Sequence, residues 1–374
     1  MATVLDAGVV ARDATGRDNE ALLALSAACP MEGDVSLCVS REPDFFALNR
    51  LQGDSWSVGV TEGALGHVAG CIAVAERQAW VHGRPSHTTY VSDLKVYPEY
   101  RGQGYADALS WWAAERCRAL GDSAPVLYTV LGGNAPMERR LGGRNGLPPA
   151  TRVALIRSWA ITFLWRRRAP SVAGLRLSRA TWDDIEEMTA LWRRVGQQRQ
   201  FAPCFTTASF AAWVQRAPGL DIGSYTVARR PNGRIAGFLA LWDQSLFKQL
   251  RVTRYTSRLA AFRRAFNAAS PLFGATTLPP TGGVMRHLSA VHVCCPSDDV
   301  DVMRALVVGA YNEWRGRGYS FFTVGLDVRD PLRRALGGLL AQPADIGAYV
   351  TTPCGPYRGQ PFDERPLHFE IALA

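Results

Sequence analysis

The pattern of apolar and polar positions predicts the same order of secondary-structure elements in each half of the chain. Each half is predicted to contain a hairpin, a strand, a helix and a further strand, in that order. In the first half these elements are placed at 56–60 with 68–74, 91–96, about 104–120 and 125–130; in the second half they are placed at 225–228 with 235–241, 288–293, about 300–315 and 319–326. A repeated order of this kind indicates an internal duplication.

Both copies also begin in the same way. A strand leads into a helix whose first turn is acidic, with Asp18 and Glu20 in the first half and Asp183 and Glu186 in the second. Negative charge at these positions suits the positive end of the helix dipole. The shared beginning extends the predicted repeat toward the start of each half.

These patterns predict an α/β protein of the α+β type with two tandem folds, each a mixed, mostly antiparallel sheet flanked by helices. The length of 374 residues also exceeds what one hydrophobic core usually supports. We place the first domain at 1–165, a linker at 166–174 and the second domain at 175–374, with a helical insertion at about 247–284. The final strands are predicted at 153–163 and 367–373.

The composition is that of a packed globular protein, with 47% apolar residues. We expect a cytoplasmic protein without a membrane partner, because no apolar run approaches the roughly 20 residues that span a bilayer and no secretory leader is evident. The eight cysteines form no C-x-x-C pair, and the histidines show no matching ligand spacing. The sequence therefore predicts no metal site.

The formal net charge is +9, and Lys95 and Lys248 are the only lysines among the 42 basic residues. The excess of arginine is typical of some genome compositions. It is also typical of proteins that attract an anionic partner, such as a phosphate-rich cofactor. The charge alone does not separate the two explanations.

One loop between a strand and a helix carries the clearest chemistry. An apolar strand ends at Val96, and Pro98 then stops ladder pairing because it has no backbone N–H group. Gly102 and Gly104 follow, and an apolar-periodic helix begins. The free N–H groups and the dipole at the start of a helix favour an anion, so this turn predicts a diphosphate site. Arg101 either adds its charge or fixes the loop.

This stretch resembles motif A of the GCN5-related N-acetyltransferase (GNAT) superfamily, whose pattern Arg/Gln-x-x-Gly-x-Gly/Ala is filled by Arg101, Gly104 and Ala106. The resemblance implies a mixed sheet whose fourth and fifth strands splay apart to hold acetyl-CoA. It implies that the diphosphate binds the loop formed by Arg101, Gly102, Gln103, Gly104, Tyr105 and Ala106.

The resemblance also implies contacts for the rest of the cofactor. The pantetheine chain is expected to bond to backbone groups of the fourth strand near Leu94 and Val96. Asn134 matches the asparagine with which family members often help to hold coenzyme A. An ordinary helix N-cap is the alternative role for Asn134.

Transfer to an amine requires that a base or a water relay accepts a proton. Asp93 occupies a strand position where family members often place a carboxylate that faces the acceptor, so it is the predicted base or amine anchor. An ion pair with its neighbour Lys95 is the alternative. Many family members use a tyrosine about seven residues after the asparagine as general acid, but this position holds Leu141. We therefore assign no acid.

The second half is predicted to bind no cofactor. Aligning residues 94–96 with 291–293 places Asp298, Asp299 and Asp301 opposite Arg101, Gly102 and Gly104. Like charges about 4 Å apart repel by several kcal/mol at an effective dielectric constant near 20, so the aspartates oppose a diphosphate. The similar run at 315–319 ends a helix, and its glycines are expected to cap a C-terminus.

The sequence thus predicts an N-acetyltransferase that uses acetyl-CoA and a small-molecule or peptidyl amine. The alternatives are an acyltransferase with longer acyl-CoA or acyl carrier protein donors, and a non-catalytic acetyl-CoA-binding module. A predicted helix at 247–262 carries Lys248, Arg251, Arg254 and Arg258 as a basic stripe, which suits a solvated face, an anionic acceptor or a carrier protein. Nucleic acid is disfavoured because the arginines are dispersed.

Overall fold

The computed structural model describes residues 8–63, 66–119, 121–143, 147–170 and 172–374. In the first half, up to residue 165, the strands are β1 (Ala11–Asp13), β2 (Val35–Ser40), β3 (Ser55–Glu62), β4 (Val68–Val81), β5 (Arg84–Val96), β6 (Val126–Leu131) and β7 (Thr151–Thr162). The helices of this half are α1 (Asn19–Ala28), α2 (Asn49–Gln52), α3 (Tyr105–Arg118) and α4 (Ala135–Leu141). The predicted end of α3 at Leu120 lies outside the described residues.

The second half repeats most of this arrangement, and it contains a strand and helix pair at a place where the first half has only a tight turn. Its strands are β8 (Arg176–Arg179), β9 (Tyr225–Arg229), β10 (Ile235–Trp242), β11 (Gln249–Tyr255), β12 (His287–Cys294), β13 (Phe321–Asp327) and β14 (Ala341–Thr351). Its helices are α5 (Ile185–Gly196), α6 (Thr207–Arg216), α7 (Ser257–Phe273) and α8 (Val300–Trp314). The additional pair, β11 and α7, falls inside the predicted insertion.

The described strands form one large sheet and one small sheet. The large sheet has the order β1-β3-β4-β5-β6-β14-β7-β13-β12-β10-β9-β8, and the small sheet pairs β2 with β11. Neighbouring strands run antiparallel except for β5 with β6 and β12 with β13. The prediction of an α/β fold with a mixed, mostly antiparallel sheet flanked by helices is confirmed.

The two halves share the large sheet because their last strands lie between them in exchanged positions. β14 of the second half pairs with β6 of the first half, from Thr351 opposite Val126 to Ile346 opposite Leu131. β7 of the first half pairs with β13 of the second half over seven residues. β7 and β14 also pair with each other. The halves are therefore continuous through the middle of the sheet.

Two sequence-based assignments are wrong. Residues 367–373 form no strand; Ile371–Leu373 is a short 3-10 helix, and the last strand is β14. The predicted helix at 247–262 begins instead as the strand β11, and α7 starts only at Ser257. The insertion is thus only partly helical. β11 extends because β2 supplies a pairing partner more than 200 residues earlier in the chain.

One helix of each half packs on the same relative face of the sheet. α3 buries Leu109 and Trp112 against Ile72 and Val74 of β4. α8 buries Leu306 and other apolar residues against Leu239 and Leu241 of β10. The loops that precede α3 and α8 are consequently brought to corresponding edges of the two halves.

Candidate functional site

The strands β5 and β6 separate to form a V-shaped cleft in the first half. They pair in parallel only from Thr89 opposite Val126 to Val91 opposite Tyr128. Beyond this point β6 continues beside β14, and β5 remains paired with β4 alone. The register of β4 with β5 shifts between Cys71 and Ala73, and at this bulge Asp93 has a φ of 55°. A bulge bends its strand, so it helps β5 to diverge from β6.

The loop from Arg101 to Gly104 lies at the end of β5. Gly102 and Gly104 have φ values of 81° and 86°, in the left-handed region that glycine adopts without strain. Gly104 is the N-cap of α3, and no side chain caps this end of the helix. The N–H groups of residues 102 to 106 make no hydrogen bond of good geometry within the described part of the chain. Five successive amides are therefore free to receive an anion.

Side chains around this loop hold its shape. Arg101 donates from Nε to the carbonyl oxygen of Val96 at 3.1 Å, and Gln103 donates to the carbonyl oxygen of Glu99 at 2.6 Å. Of the two roles predicted for Arg101, the fixing of the loop is the one that these contacts describe. The carbonyl of Val96 is already engaged, so Leu94 is the better placed of the two predicted pantetheine contacts.

Two of the remaining predicted cofactor residues pack beside the loop. Tyr105 and Ala106 are half-buried at the start of α3, against the apolar cluster under that helix. The ring of Tyr105 lies 5.0 Å from the ring of Tyr100. Their side chains thus anchor the first turn of α3, and their backbone N–H groups remain available.

Asn134 is the N-cap of α4, and its Oδ1 accepts a hydrogen bond from the N–H group of Met137 at 3.3 Å. The residue lies just after β6, on the far side of the cleft from β5. The alternative role as a helix cap is the one that the geometry displays. Asn134 is exposed, so its amide Nδ2 remains accessible.

Asp93 lies between two cations at the bulge. Its Oδ2 accepts from Arg41 Nη1 at 2.5 Å, and its Oδ1 accepts from Lys95 Nζ at 2.5 Å. Burial by itself would raise the pKa of Asp93, but the charges and hydrogen bonds of Arg41 and Lys95 outweigh it and hold this pKa well below its usual range. A carboxylate that resists protonation so strongly is a poor proton acceptor, so the geometry disfavours Asp93 as the base.

A hydrogen-bonded network connects Asp93 to the C-terminal segment. Arg41, whose side chain is 1% exposed, donates to Asn49 Oδ1 at 2.8 Å, and Asn49 donates to Gln52 Oε1 at 3.1 Å. Gln52 then donates to the carbonyl oxygen of Leu373 at 2.8 Å. Sequence reasoning missed Arg41 and Asn49, because neither residue belongs to a motif and only the fold brings them to β5.

Lys248 lies close to this network rather than on a solvated helix face. Its Nζ donates to the carbonyl oxygen of Ala372 at 3.1 Å and to an oxygen of Ala374 at 2.6 Å. Burial lowers the pKa of Lys248 to about 7, and the positive charge of Arg41 acts in the same direction. The predicted basic stripe is therefore wrong for Lys248, which is buried before β11, and for Arg251 and Arg254, which lie on β11.

The second half contains a corresponding cleft. β12 and β13 pair in parallel only from His287 opposite Phe321 to Ser289 opposite Thr323. The register of β10 with β12 shifts between Phe238 and Ala240, and His292 has a φ of 49° at this bulge. His292 thus occupies the backbone position that Asp93 occupies in the first half.

The close approaches of two glycines define how the halves superpose. Gly70 packs against Lys95 and Leu109, whereas Gly237 packs against Cys294 and Leu306. Lys95 therefore corresponds to Cys294 on the strand, and Leu109 corresponds to Leu306 on the helix. The alignment of 94–96 with 291–293 is therefore two residues out of register on the strand β12. The reason is that the loop between β12 and α8 is two residues shorter than the loop between β5 and α3. On the helix the alignment agrees with the structure.

The cleft of the second half is filled by the chain itself. The 3-10 helix Ile371–Leu373 contacts β12 and β13, and a Cβ built at Gly325 of β13 would lie 3.0 Å from Ile371. Glu370 accepts a hydrogen bond from the backbone N–H of His292 at 3.0 Å. The loop before α8 carries Asp299, which forms an ion pair with Arg230.

No group of three or more His, Cys, Asp or Glu side chains among the described residues is placed to hold a metal ion. None of the helices in the described ranges has the length and apolar character that crossing a membrane requires.

Comparison with known proteins agrees with this geometry. Residues 22–139 match the family model described as "Acetyltransferase (GNAT) family". No curated protein matches the sequence significantly.

Three solved structures illustrate the similarity of fold. A GCN5-related N-acetyltransferase from Sphaerobacter thermophilus has 17% identity and a TM-score of 0.58, over 94% of this chain and 97% of that one. N-myristoyltransferase of Saccharomyces cerevisiae with bound myristoyl-CoA has 13% identity and a TM-score of 0.62, over 96% of this chain and 85% of that one. A GCN5-related N-acetyltransferase from Anabaena variabilis has 14% identity and a TM-score of 0.54, over 92% and 73%. At these identities the likeness shows the fold alone.

Proposed function

Because residues 22–139 form a domain of the GNAT acetyltransferase family, we propose that the protein is an N-acetyltransferase that carries acetyl-CoA in the cleft of its first half. The fold supports an acyl-CoA acyltransferase in general. The choice of acetyl-CoA, of an amine acceptor and of the first cleft alone is our proposal. The acceptor belongs to the class of small-molecule or peptidyl amines.

The observation that carries the proposal is the row of free amides at residues 102 to 106. These N–H groups and the dipole of the 14-residue helix α3 provide complementary charge for a diphosphate. The divergence of β5 and β6 leaves a groove beside them for the pantetheine chain. In this arrangement the backbone of Leu94 follows the bulge directly and faces the groove, so it is the proposed pantetheine partner.

Two features support binding by the first half alone. The corresponding cleft of the second half holds Ile371 against Gly325, so a pantetheine chain there would have to displace the chain's own residues. Asp299 at the N-cap of α8 and Asp301 in its first turn also lie near the position of a diphosphate. Both steric exclusion and charge repulsion oppose a second cofactor.

We assign Asp93 a positioning role in the reaction. Its two ion pairs tie β2, through Arg41 beside its end, to the bulge of β5. This linkage fixes the direction of the backbone at Leu94, where the thioester would be held. In this proposal the proton of the amine leaves through another group or through water.

The proposal is tested by the binding of acetyl-CoA to a matched pair of variants. Gly102 and Gly316 have φ values of 81° and 77°, no atom lies within 4 Å of a Cβ built at either, and both lie in an Arg-Gly-x-Gly-Tyr run. Gly102→Glu places a carboxylate at the free amides, whereas Gly316→Glu imposes the same backbone strain at the end of α8. Any difference in cofactor binding then reports on the site and not on strain.

For the wild type and for Gly316→Glu, acetyl-CoA at 100 times its dissociation constant is expected to stabilise the fold by about 2.7 kcal/mol. Gly102→Glu should lose this stabilisation. Thermal unfolding with and without acetyl-CoA measures both effects. The proposal fails if millimolar acetyl-CoA stabilises none of the proteins, or if the two variants respond alike.

A second candidate function uses longer acyl donors. The fold resembles N-myristoyltransferase of Saccharomyces cerevisiae at TM-scores of 0.62 to 0.64, and that protein is described with bound myristoyl-CoA. Dissociation constants for acyl-CoA esters of two to fourteen carbons separate the candidates. Tightest binding of the acetyl ester supports our first choice, and affinity that rises with chain length supports the second.

A further inference from the structure

A separate pocket of about 210 Å³ lies where the two halves meet. The first half contributes Gln52 and Arg77, and the second half contributes Phe205, Trp213 and His292. This volume is below the roughly 300–1,000 Å³ of sites for drug-sized ligands. Its occupant is therefore small, and coenzyme A is excluded by size.

The pocket is distinct from the acyl-donor cleft. Arg77 lies opposite Thr88 of β5, four residues or about 13 Å along the strand from Ser92, which precedes Asp93. The helix α2 lies between the two places. Its Gln52 closes the gap by donating a hydrogen bond to the carbonyl oxygen of Leu373 at 2.8 Å.

Arg77 supplies a positive charge to this pocket, and the carboxylates of Glu370 and Asp54, which also line the pocket, act on it without forming an ion pair. The Arg77 guanidinium donates to the carbonyl oxygen of Phe201 at 3.3 Å, and no carboxylate of the described residues lies within ion-pair distance of it. Burial lowers the pKa of Arg77, and the charge of Glu370 opposes this effect. A half-buried cation that forms no ion pair attracts an anion, because water screens it only in part.

Flat apolar rings form the opposite wall. The ring of His292 is 2% exposed and lies 4.3 Å from Trp213 and 5.6 Å from Phe205, measured between ring centroids. Its Nδ1 is hydrogen-bonded to Tyr225 Oη at 2.7 Å. Its Nε2 makes no hydrogen bond within the described ranges, so a polar atom is available among the rings.

The carboxylate of Glu370 also lines the pocket, and its hydrogen-bond partners belong to the second half. It accepts the N–H group of His292 at 3.0 Å and lies 3.7 Å from His368 Nε2. These contacts direct Glu370 toward the second half, and Arg77 reaches the pocket from the first half. Glu370 and Arg77 form no ion pair with each other, so an anion can approach Arg77.

We propose that this pocket binds a small aromatic carboxylic acid. The carboxylate pairs with Arg77, and the ring lies against Trp213 and Phe205. An aromatic ring suits these walls because edge-to-face contacts between rings add to the burial of apolar area. Binding of this kind does not depend on acyl transfer, so it can be tested whether or not acetyl-CoA is the donor.

Benzoate and its neutral isostere benzamide are the probes, titrated by calorimetry into the full-length chain. Benzoate is expected to bind with one site per chain and at least about tenfold more tightly than benzamide, since only benzoate pairs with Arg77. Arg77→Gln should weaken benzoate by a similar factor and leave benzamide unchanged. Equal affinity for the two probes, or full benzoate affinity in Arg77→Gln, would overturn the proposal.

A second variant guards against misfolding of Arg77→Gln. Ala212→Trp adds bulk to the exposed pocket-lining position Ala212 on α6 and leaves Arg77 in place. It is expected to abolish benzoate binding without changing the unfolding midpoint by more than a few degrees. Titration of benzoate in saturating acetyl-CoA completes the test. An unchanged affinity supports two separate sites, and competition would place benzoate in the donor cleft and overturn the proposal.

Discussion

The two clefts of this protein have the same backbone and opposite contents. In each, two parallel strands separate after three paired residues, and a bulge places one residue in the left-handed region, Asp93 in the first half and His292 in the second. The first cleft ends at free amides, whereas Ile371–Leu373 fills the second. The same divergence of strands is therefore compatible with two different contents, free amides in one cleft and the chain's own residues in the other.

The bulge residues show how differently one backbone position can be used. Asp93 is held by Arg41 and Lys95, so its environment is ionic. His292 is surrounded by aromatic rings, and burial lowers its pKa to about 4 although Glu370 opposes this shift. The same strained geometry is thus stabilised by charge pairing in one half and by packing in the other.

Removing one cation from the first bulge should cause the greatest loss of stability. Arg41→Met leaves Asp93 buried with one cation fewer, which should lower the free energy of unfolding by about 3–5 kcal/mol. The control is Arg230→Met, because Arg230 pairs with Asp299 in the second half but is 48% exposed, so its loss should cost less than about 1 kcal/mol. Urea unfolding midpoints compare the two. Similar shifts in both variants would contradict the assigned difference.

The pH dependence of stability should also differ between the two bulge residues. The pKa of His292 is lowered from 6.5 to about 4 in the folded protein, so the unfolded chain binds a proton first as the pH falls. Stability is therefore lost between about pH 6.5 and pH 4, on the order of 2–3 kcal/mol from this residue. The pKa of Asp93 is lowered as well, so its contribution is present above the unfolded value of 3.8 and disappears only below it.

Two substitutions test this separation. His292→Asn should flatten the stability profile between pH 6.5 and 4, whereas Asp93→Asn should flatten it only below about pH 4. Unfolding by urea at several pH values measures the slopes. The remaining slope above pH 4 includes His287 and His368, whose pKa values burial also lowers. An unchanged slope in His292→Asn would show that its imidazole is not responsible.

Truncating a side chain that fills the second cleft should have a smaller effect on stability and tests whether this filling alone excludes the cofactor. Ile371→Ala removes part of the filling of the second cleft and should lower the free energy of unfolding by about 1–2 kcal/mol, since Ile371 is only half-buried. Calorimetry should still give one acetyl-CoA per chain, because Asp299 and Asp301 remain. A stoichiometry of two would mean that the chain's own residues alone had excluded the cofactor.

The two halves share a capping box at their first helix, and its removal should have a similar, small effect on stability in each half. Thr15 and Thr181 form the same capping box, with Asp18 and Asp184 respectively, at the first helix of each half. Thr15→Ala and Thr181→Ala should each cost about 1 kcal/mol. Thermal unfolding of both variants gives the comparison. A clear inequality would show that this local element is coupled to different surroundings in the two halves.

Local signals in the sequence predicted the elements that form the proposed donor site. Pro98, Gly102 and the 3.6-residue periodicity of α3 act within a few residues of one another, so they specify a strand end, a turn and a helix start without help from distant segments. Asp298 and Asp299 likewise act locally, because they lie directly before the start of α8. The prediction of a GNAT-like fold depended on these short-range features and is confirmed, whereas the assignment of the loop to a diphosphate stays a prediction.

Only the tertiary structure decided which segments meet. The exchange of β7 with β14, the pairing of β11 with β2 and the position of Ile371 in the second cleft each join residues far apart in sequence. A strand's own pattern states which faces are buried but does not name its partner. The roles of Arg41 and Arg77 could not be predicted from the sequence for the same reason. The effect of a charge depends on its burial and its neighbours, and only the complete fold provides these.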